Sequence, residues 1–133
     1  MLGDFTWKVI EKDMEGLAQR FKAVSRNVAN ADTPGYARRN VSFEDQLRDV
    51  VQAGKKLHMT VTDPAHIPTR PRLVSDVAPA ELKIRDEIYR LDGNNVDPER
   101  EMAVMAETRM MYNAMGRLAA KKLANYRTVI AGR

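Results

Sequence analysis

Three side chains of the types that acid–base or metal chemistry uses lie close together in this sequence: His58, Asp63 and His66. They fall in a proline-rich segment and lack the ligand spacing that is typical of zinc sites. The chain has no cysteine, so disulfides and thiolate metal sites are excluded. A Ser-His-Asp arrangement is compatible with the composition, but no nucleophile motif supports one. The sequence therefore predicts no enzyme, no cofactor and no metal site.

The net charge of +4 is concentrated late in the chain, with Lys121, Lys122, Arg127 and Arg133 near its end. Cations at this position complement the negative end of a helix dipole. They also leave open a helical nucleic-acid-binding module, although the basic residues alternate with acids and lack an interleaved aromatic row. The class favoured by charge alone is a helical protein without a dense nucleic-acid footprint.

The sequence predicts neither a membrane span nor a cleaved leader. It contains no run of eighteen apolar residues, the length that a transmembrane helix needs. The first residues, MLGDFTWKVIEKDMEG, carry acids early and show no apolar core of a signal peptide. We therefore expect no cleavable secretory signal and no direct membrane insertion.

The N-terminal segment has the apolar spacing of an amphipathic helix. Its apolar residues recur at intervals that alternate between four and three, with charged residues on the other face. These residues are Ile10, Met14, Leu17, Phe21, Val24 and Val28. The pattern predicts one helix over residues 5–30 with a continuous seam along it.

A second long helix is predicted over residues 97–131. Asp97 suits the N-cap, Pro98 the first helical position, and Glu99 and Glu101 the positive end of the helix dipole. Its apolar residues form two adjacent stripes, of which one neighbouring helix covers only one. The first stripe holds Met102, Met105, Tyr112, Ala119, Leu123, Tyr126 and Ile130; the second holds Val104, Met111, Met115, Leu118 and Val129.

The middle of the chain, residues 31–96, changes character. Ser42 with Asp45 resembles a helix cap, and Phe43, Leu47, Val50 and Val51 give a short helical face that ends at Gly54. LHMTVT then alternates as an extended segment does, and four of the six prolines fall within residues 64–79. Residues 80–92 show no clean period, and DGNN reads as a turn.

Together these patterns predict a mainly α single domain. The seam of the first helix packs against Met105, Tyr112, Ala119, Leu123 and Tyr126 of the second, as an antiparallel, coiled-coil-like pair. An extended, proline-rich and partly irregular middle segment with a short helix joins the two. Such a chain is underpacked alone, since two helices supply little core for the rest.

The stretch NVANADTPGY, residues 27–36, combines a helix end with more polar residues than a helix end needs. Thr33 precedes a proline, which stops the helix near Asp32, and Pro34-Gly35 suits a type II turn. Asn27 and Asn30 lie three residues apart on one face, beside the apolar seam. Amides at such positions favour one packing register over others.

This stretch carries a family resemblance. NVANADTPGYARRNVSFEDQL resembles the N-terminal signature of bacterial flagellar rod, hook and filament-junction axial proteins, S-x-N-[IV]-A-N-x-x-T-P-G-Y. DGNNVDPEREMAVMAETRMMYNAMGRL resembles the C-terminal helix of the same family. The short chain is similar to a rod protein, and VSFE, HMTVTDPAHIP and DGNNVD point to the proximal rod. A proline after Asp97 departs from the usual pattern and implies a stiffer start of the same helix.

The resemblance implies a structural subunit of the flagellar basal-body rod. It implies export by the flagellar type III system, and assembly into a helical tube with other rod proteins, the membrane-ring adapter and the export gate. The implied subunit interface comprises Asn27, Asn30, Thr33, Pro34, Gly35, Tyr36, Met111, Met115 and Leu118. A rod protein of the FlgC type is the alternative within the family, but its usual Asn-Pro-Asn-Val turn is absent here.

Overall fold

The computed structural model describes residues 2–52, 73–85 and 90–132. In chain order the elements are helix α1 (Leu2–Ala29), strand β1 (Arg39–Ser42), helix α2 (Glu44–Gln52), a 3-10 turn (Val74–Asp76), strand β2 (Ala80–Lys83) and helix α3 (Pro98–Ala131). Two long helices therefore frame a small sheet and a short helix. The LHMTVT segment, which the sequence predicts to be extended, and Pro64, Pro68 and Pro71 lie outside the described residues.

Helices α1 and α3 pack against each other in antiparallel directions. Glu101, at the start of α3, contacts Asn27 near the end of α1, whereas Met115, farther along α3, packs near Leu17. At about 1.5 Å per residue, the two helices are about 42 and 51 Å long. Both predicted helices are confirmed, but a coiled-coil geometry for the pair stays a prediction. Within the described part of the chain, neither helix is apolar enough over a sufficient length to cross a bilayer.

The helix boundaries follow local chemistry. Asp97 caps α3 by accepting hydrogen bonds from the amides of Glu99 at 3.0 Å and Arg100 at 3.3 Å, and Pro98 is the first helical residue. After α1, the Tyr36 amide donates to the Thr33 carbonyl, and Gly35 between them has φ +68°. A positive φ at this place is what a type II turn requires and what glycine allows.

Strands β1 and β2 form a two-stranded antiparallel sheet that the sequence patterns did not predict. The register pairs Arg39 with Lys83 and Ser42 with Ala80. Each strand has only four residues, and the partners lie about forty residues apart. The sequence therefore shows neither a clear alternation of apolar and polar residues nor a hairpin turn that would predict them. The sheet thereby joins two segments of the middle region, residues 39–42 and 80–83.

The apolar core lies where α1 meets this sheet and α2. One cluster joins Leu17, Ala23, Val41 and Phe43, with Met115 packed against it; another joins Leu47, Val50, Val74 and Val77, with Val9 packed against it. Ser42 does not cap α2 as expected: it is the last residue of β1, and α2 begins at Glu44. Val51, expected on the buried face, is 48% exposed because Leu47 and Val50 face the core instead.

Candidate functional site

The end of α1 and the start of α3 meet at a cluster of buried polar side chains, which we call the polar junction. Its members are Asn27, Arg38, Asn94, Asn95 and Glu101. Each has at most 8% of its surface exposed, although burial of polar and charged groups is costly unless every group finds a partner. The hydrogen bonds below show that these residues satisfy one another and the backbone around them.

Asn27 joins α1, β1 and α3 through one side-chain amide. Its Oδ1 accepts from the Arg39 amide at 2.9 Å and from the Tyr36 hydroxyl at 3.3 Å. Its Nδ2 donates to the Arg39 carbonyl at 2.7 Å and to Glu101 Oε2 at 2.9 Å. The amide thus pairs with Arg39 as a neighbouring strand would, and it covers that part of the outer edge of β1.

Glu101 and Arg38 form a buried ion pair in the junction. Arg38 Nε donates to Glu101 Oε1 at 2.7 Å, and the two side chains are 10% and 1% exposed. Since Asn27 donates to the second carboxylate oxygen, both oxygens of Glu101 have partners. The sequence predicts only that Glu101 interacts favourably with the positive end of the helix dipole. In the structure it also binds α3 to the segment that leads into β1.

Asn95 continues the sheet beyond its last regular pair. The Ile84 amide donates to the Arg38 carbonyl at 2.8 Å. Asn95 Oδ1 accepts from the Arg38 amide at 2.6 Å, and its Nδ2 donates to the Ile84 carbonyl at 2.7 Å. One side chain therefore bridges the backbones on both sides of the sheet end and ties them to the start of α3.

Asn94 closes the C-terminal end of α1. Its Nδ2 lies within 2.9 Å of the carbonyl oxygens of Asn30, Ala31 and Thr33. The Asn30 carbonyl belongs to the helix end, where carbonyls have no partner within the helix, and the other two belong to the turn that follows. This one amide donor therefore stabilises both the helix end and the turn. Nearby, the Gly35 amide donates to the Asp92 carbonyl at 2.9 Å, which joins the Thr-Pro-Gly turn to the DGNN turn.

An exposed charge cluster borders the polar junction. Glu81 of β2 accepts from Arg39 Nη1 at 2.6 Å and from Arg26 Nη2 at 2.9 Å. The hydrogen bond from Arg39, assisted by the charge of Arg26, lowers the pKa of Glu81 below its usual range, and the same bond raises the pKa of Arg39. This pairing links α1 to both strands.

The predicted helix seam is only partly buried. Ile10, Leu17 and Val24 of α1 are buried, whereas Phe21 is 40% exposed. Met14, Val28, Met105 and Ala119 are half-buried, and Tyr112, Leu123 and Tyr126 are exposed. The difference arises because α1 directs much of its apolar face to Val41 and Phe43 of the sheet layer rather than to α3.

The predicted interface residues divide into two groups. Thr33, Pro34 and Gly35 are exposed, and Asn30 and Tyr36 are half-buried. Asn27 is fully buried in its own chain, so it reaches no partner surface in this conformation. Asn27 therefore acts inside the subunit, while an interface role for the other turn residues stays a prediction.

Helix α3 leaves most of its apolar surface exposed. Of the second stripe, Met111, Leu118 and Val129 are exposed and Met115 is half-buried. A groove of about 830 Å³ also runs between α1 and α3, lined mainly by apolar side chains that include Phe21, Met105 and Tyr112. These surfaces suit helix packing and offer no constellation for catalysis.

No metal-ligating cluster stands out in the described part of the chain, where no three His, Asp or Glu side chains converge. His58, Asp63 and His66 lie outside that part. Sequence reasoning missed Arg38 and Asn94 as junction residues. The available signal was the surplus of polar residues in both NVANAD and DGNN, because one glycine or proline suffices to end a helix or make a turn.

Comparison with known proteins finds relatives in several bacteria that carry the same name. The chain is 37% identical over 99 residues to the flagellar basal body rod protein FlgB of Escherichia coli (strain K12), which covers 71% of this chain and 70% of that protein. It is 33% identical over 119 residues to that of Salmonella typhimurium (86% and 85% covered) and 31% identical over 111 residues to that of Bacillus subtilis (84% and 81% covered). No protein-family model matches the chain.

Proposed function

The chain belongs to the FlgB family of flagellar basal body rod proteins and is a structural subunit of the rod. On that premise we propose that it acts in the proximal rod and that helix α3 becomes fully ordered only against neighbouring subunits. The similarity to these relatives favours this family over a nucleic-acid-binding module and over a rod protein of the FlgC type. The proposed role is mechanical and architectural rather than catalytic.

The observation that carries the proposal is the burial pattern of α3. Its 34 residues bury only Glu101 and Thr108, one charged and one polar. Nine large apolar side chains of the same helix are exposed: Met102, Met110, Met111, Tyr112, Leu118, Leu123, Tyr126, Val129 and Ile130. An apolar helix surface of this extent is typical of a protein that completes its core with a partner.

The energetics agree with ordering on assembly. Covering about 1,000 Å² of apolar surface contributes roughly 25 kcal/mol before costs. Ordering the backbone opposes this by about 1–2 kcal/mol per residue, so a long helix with one packed side gains little alone and much in a polymer. Helix α3 should therefore be the element whose order depends most on neighbours.

The polar junction supports the proposal by fixing where α3 starts. Glu101, in its first turn, pairs with Arg38 in the segment that leads into β1. Just before the helix, Asn95 binds the backbones of Arg38 and Ile84, and Asn94 binds the carbonyl of Ala31 in the turn after α1. The helix then leaves a defined point in a defined direction and presents its uncovered side to the next subunit. A subunit of a tube needs this reproducibility, because each copy must offer the same surface.

We further propose the partners and route that the family resemblance implies. The chain, as a single axial domain, passes through the flagellar type III export system. It then assembles as a helical tube with other rod proteins, next to the membrane-ring adapter and above the export gate. Met111, Met115, Leu118 and the exposed Thr-Pro-Gly turn form its subunit interface, and the α1–α3 pair faces the rod interior.

Circular dichroism over a concentration series, with sedimentation on the same samples, tests the proposal. We expect helicity to rise with the formation of oligomers, and to rise further on addition of a second purified rod protein. A dilute monomer with full helicity, unchanged by that partner, would contradict ordering on assembly. Family membership would then stand without the coupled-folding mechanism.

A further inference from the structure

Two surfaces of opposite charge remain uncovered on this chain, one on α3 and one on α2, and we propose that neighbouring copies dock through them. The second stripe of α3 in one copy packs against the layer formed by α2 and the 3-10 turn in the next. This inference rests on the proposed function and names the partner of its uncovered helix face: a second copy of the same chain.

The α3 side of this contact is basic. Residues 108–132 contain five basic residues and no acidic one. At about 100° per residue, Met111, Leu118 and Val129 lie on one side of the helix, and Arg117 and Lys121 lie beside them. Both cations are exposed, and no ion pair joins either of them to a carboxylate of the described chain. The apolar strip thus has a cationic border.

The α2 side is acidic. Among the described residues of this layer, 44–52 and 73–77, there are four acids and one base, Arg48. Asp45 is exposed and forms a surface ion pair with Arg48 at 3.0 Å, and Asp49, one turn further along α2, is half-buried. Val51 and Leu73 of the same layer are 48% and 62% exposed. An apolar patch bordered by carboxylates complements an apolar strip bordered by cations.

Both surfaces remain uncovered within one subunit. Met111, Leu118 and Val129 of α3 are exposed, and so are Val51 and Leu73 of the α2 layer. Side-by-side copies can cover both, with the strip of one copy on the patch of the next, in a head-to-tail contact that repeats into a ring or a helical array.

Charge reversal with exchange tests this contact by sedimentation. One variant carries Arg117→Glu and Lys121→Glu, and the other carries Asp45→Lys and Asp49→Lys. We expect each alone to self-associate at least about tenfold more weakly than wild type, because like charges then meet. An equimolar mixture should recover association, since both contact types are again complementary. Arg109→Glu with Arg127→Glu is the matched control: the charge change is the same, but it lies on the far side of the helix from the stripe.

Salt separates this contact from purely apolar packing. Wild-type self-association should weaken between about 0.1 M and 1 M salt, where the screening length falls from about 10 Å to about 3 Å. Wild-type chains that stay monomeric, or reversed variants that associate as wild type does, would overturn the inference. If the α2 variant loses helicity, the α3 variant and its control decide the matter alone. Helix gain with a second rod protein would persist in the reversed variants, so failure here is distinct from failure of the proposed function.

Discussion

The burial of Glu101 is unexpected, because an isolated carboxylate in a protein interior is destabilising by several kcal/mol. Its position becomes favourable only with Arg38 on one oxygen and Asn27 on the other. The three residues belong to α3, to the segment before β1, and to α1. At the residue scale, then, a single carboxylate makes the placement of α3 depend on both other elements.

Replacing Glu101 by glutamine tests this dependence. A glutamine side chain has one amide oxygen and one amide NH2 group, so one of the two donors, Arg38 Nε or Asn27 Nδ2, then faces another donor. The buried guanidinium also loses the negative charge of Glu101. We expect a loss of about 3–5 kcal/mol in the free energy of unfolding, the usual cost of breaking a buried pair on one side. Urea unfolding measures it at fixed protein concentration. Glu99→Gln, exposed in the same helical turn, is the control, and equal effects of the two changes would refute the assigned role.

Asp13 gives a prediction about pH. Partial burial and the nearby Glu44 raise its pKa above the ordinary 3.8, with Arg20 opposing. A raised pKa means that the folded state holds the proton more tightly, so stability is lost as pH rises through the folded-state pKa. Asp13→Asn removes the loss of stability that comes from ionising a partly buried carboxyl group beside Glu44. We therefore expect a higher Tm than wild type at pH 7. Below pH 3.8 the two Tm values should converge; a constant difference would point to packing instead of charge.

At the scale of elements, the contact between α1 and the sheet layer depends on the absence of a side chain. The ring of Phe43 lies over Gly16, and a Cβ at that glycine would come within 2.5 Å of ring atoms. Phe43 is fully buried, with Arg20 5.2 Å from its ring centroid, so it has little room to move. Glycine in a helix interior is intrinsically unfavourable, which makes its position here a consequence of packing.

Gly16→Ala should therefore destabilise the chain by about 1–3 kcal/mol, the usual effect of overpacking, despite the better helix propensity of alanine. Gly116→Ala in α3 is the matched change, because nothing lies within 4 Å of a Cβ at that position. There we expect a gain of up to about 1 kcal/mol. Thermal unfolding followed by circular dichroism compares the two, and a stabilising Gly16→Ala would mean that Phe43 does not pack as described.

Some elements are determined by residues within them, and others by residues far away in the sequence. Helices α1 and α3 were predictable from apolar spacing and from Asp97 and Pro98, since these signals lie within the helices themselves. The turn at Gly35 was predictable for the same reason. The β1–β2 pair was not, because its register depends on Asn27 and Asn95, which lie outside both strands in sequence. The burial of Glu101 likewise depends on residues far away in the sequence, Asn27 and Arg38. The prediction that Glu101 only interacts with the helix dipole was therefore incomplete.

At the scale of the whole molecule, the subunit has two kinds of apolar surface with separate tasks. The core around Leu17 and Phe43 is closed within the chain, whereas the second stripe of α3 is open. The charged polar junction lies where the end of α1 meets the start of α3, and it fixes the direction of the helix that carries the open stripe. Folding of the closed part and assembly through the open part should therefore respond to different substitutions.

Leu17→Ala and Leu118→Asn separate these two tasks. Leu17 is 1% exposed, so its truncation should lower the free energy of unfolding by about 2–5 kcal/mol at any protein concentration. Leu118 is 51% exposed, so Leu118→Asn should leave the dilute monomer within about 0.5 kcal/mol of wild type. It should nevertheless remove the rise in helicity and in sedimentation coefficient that concentration brings. Because the two residues have the same side chain and differ in what covers it, a loss of monomer stability in Leu118→Asn would show that the subunit already covers this stripe by itself.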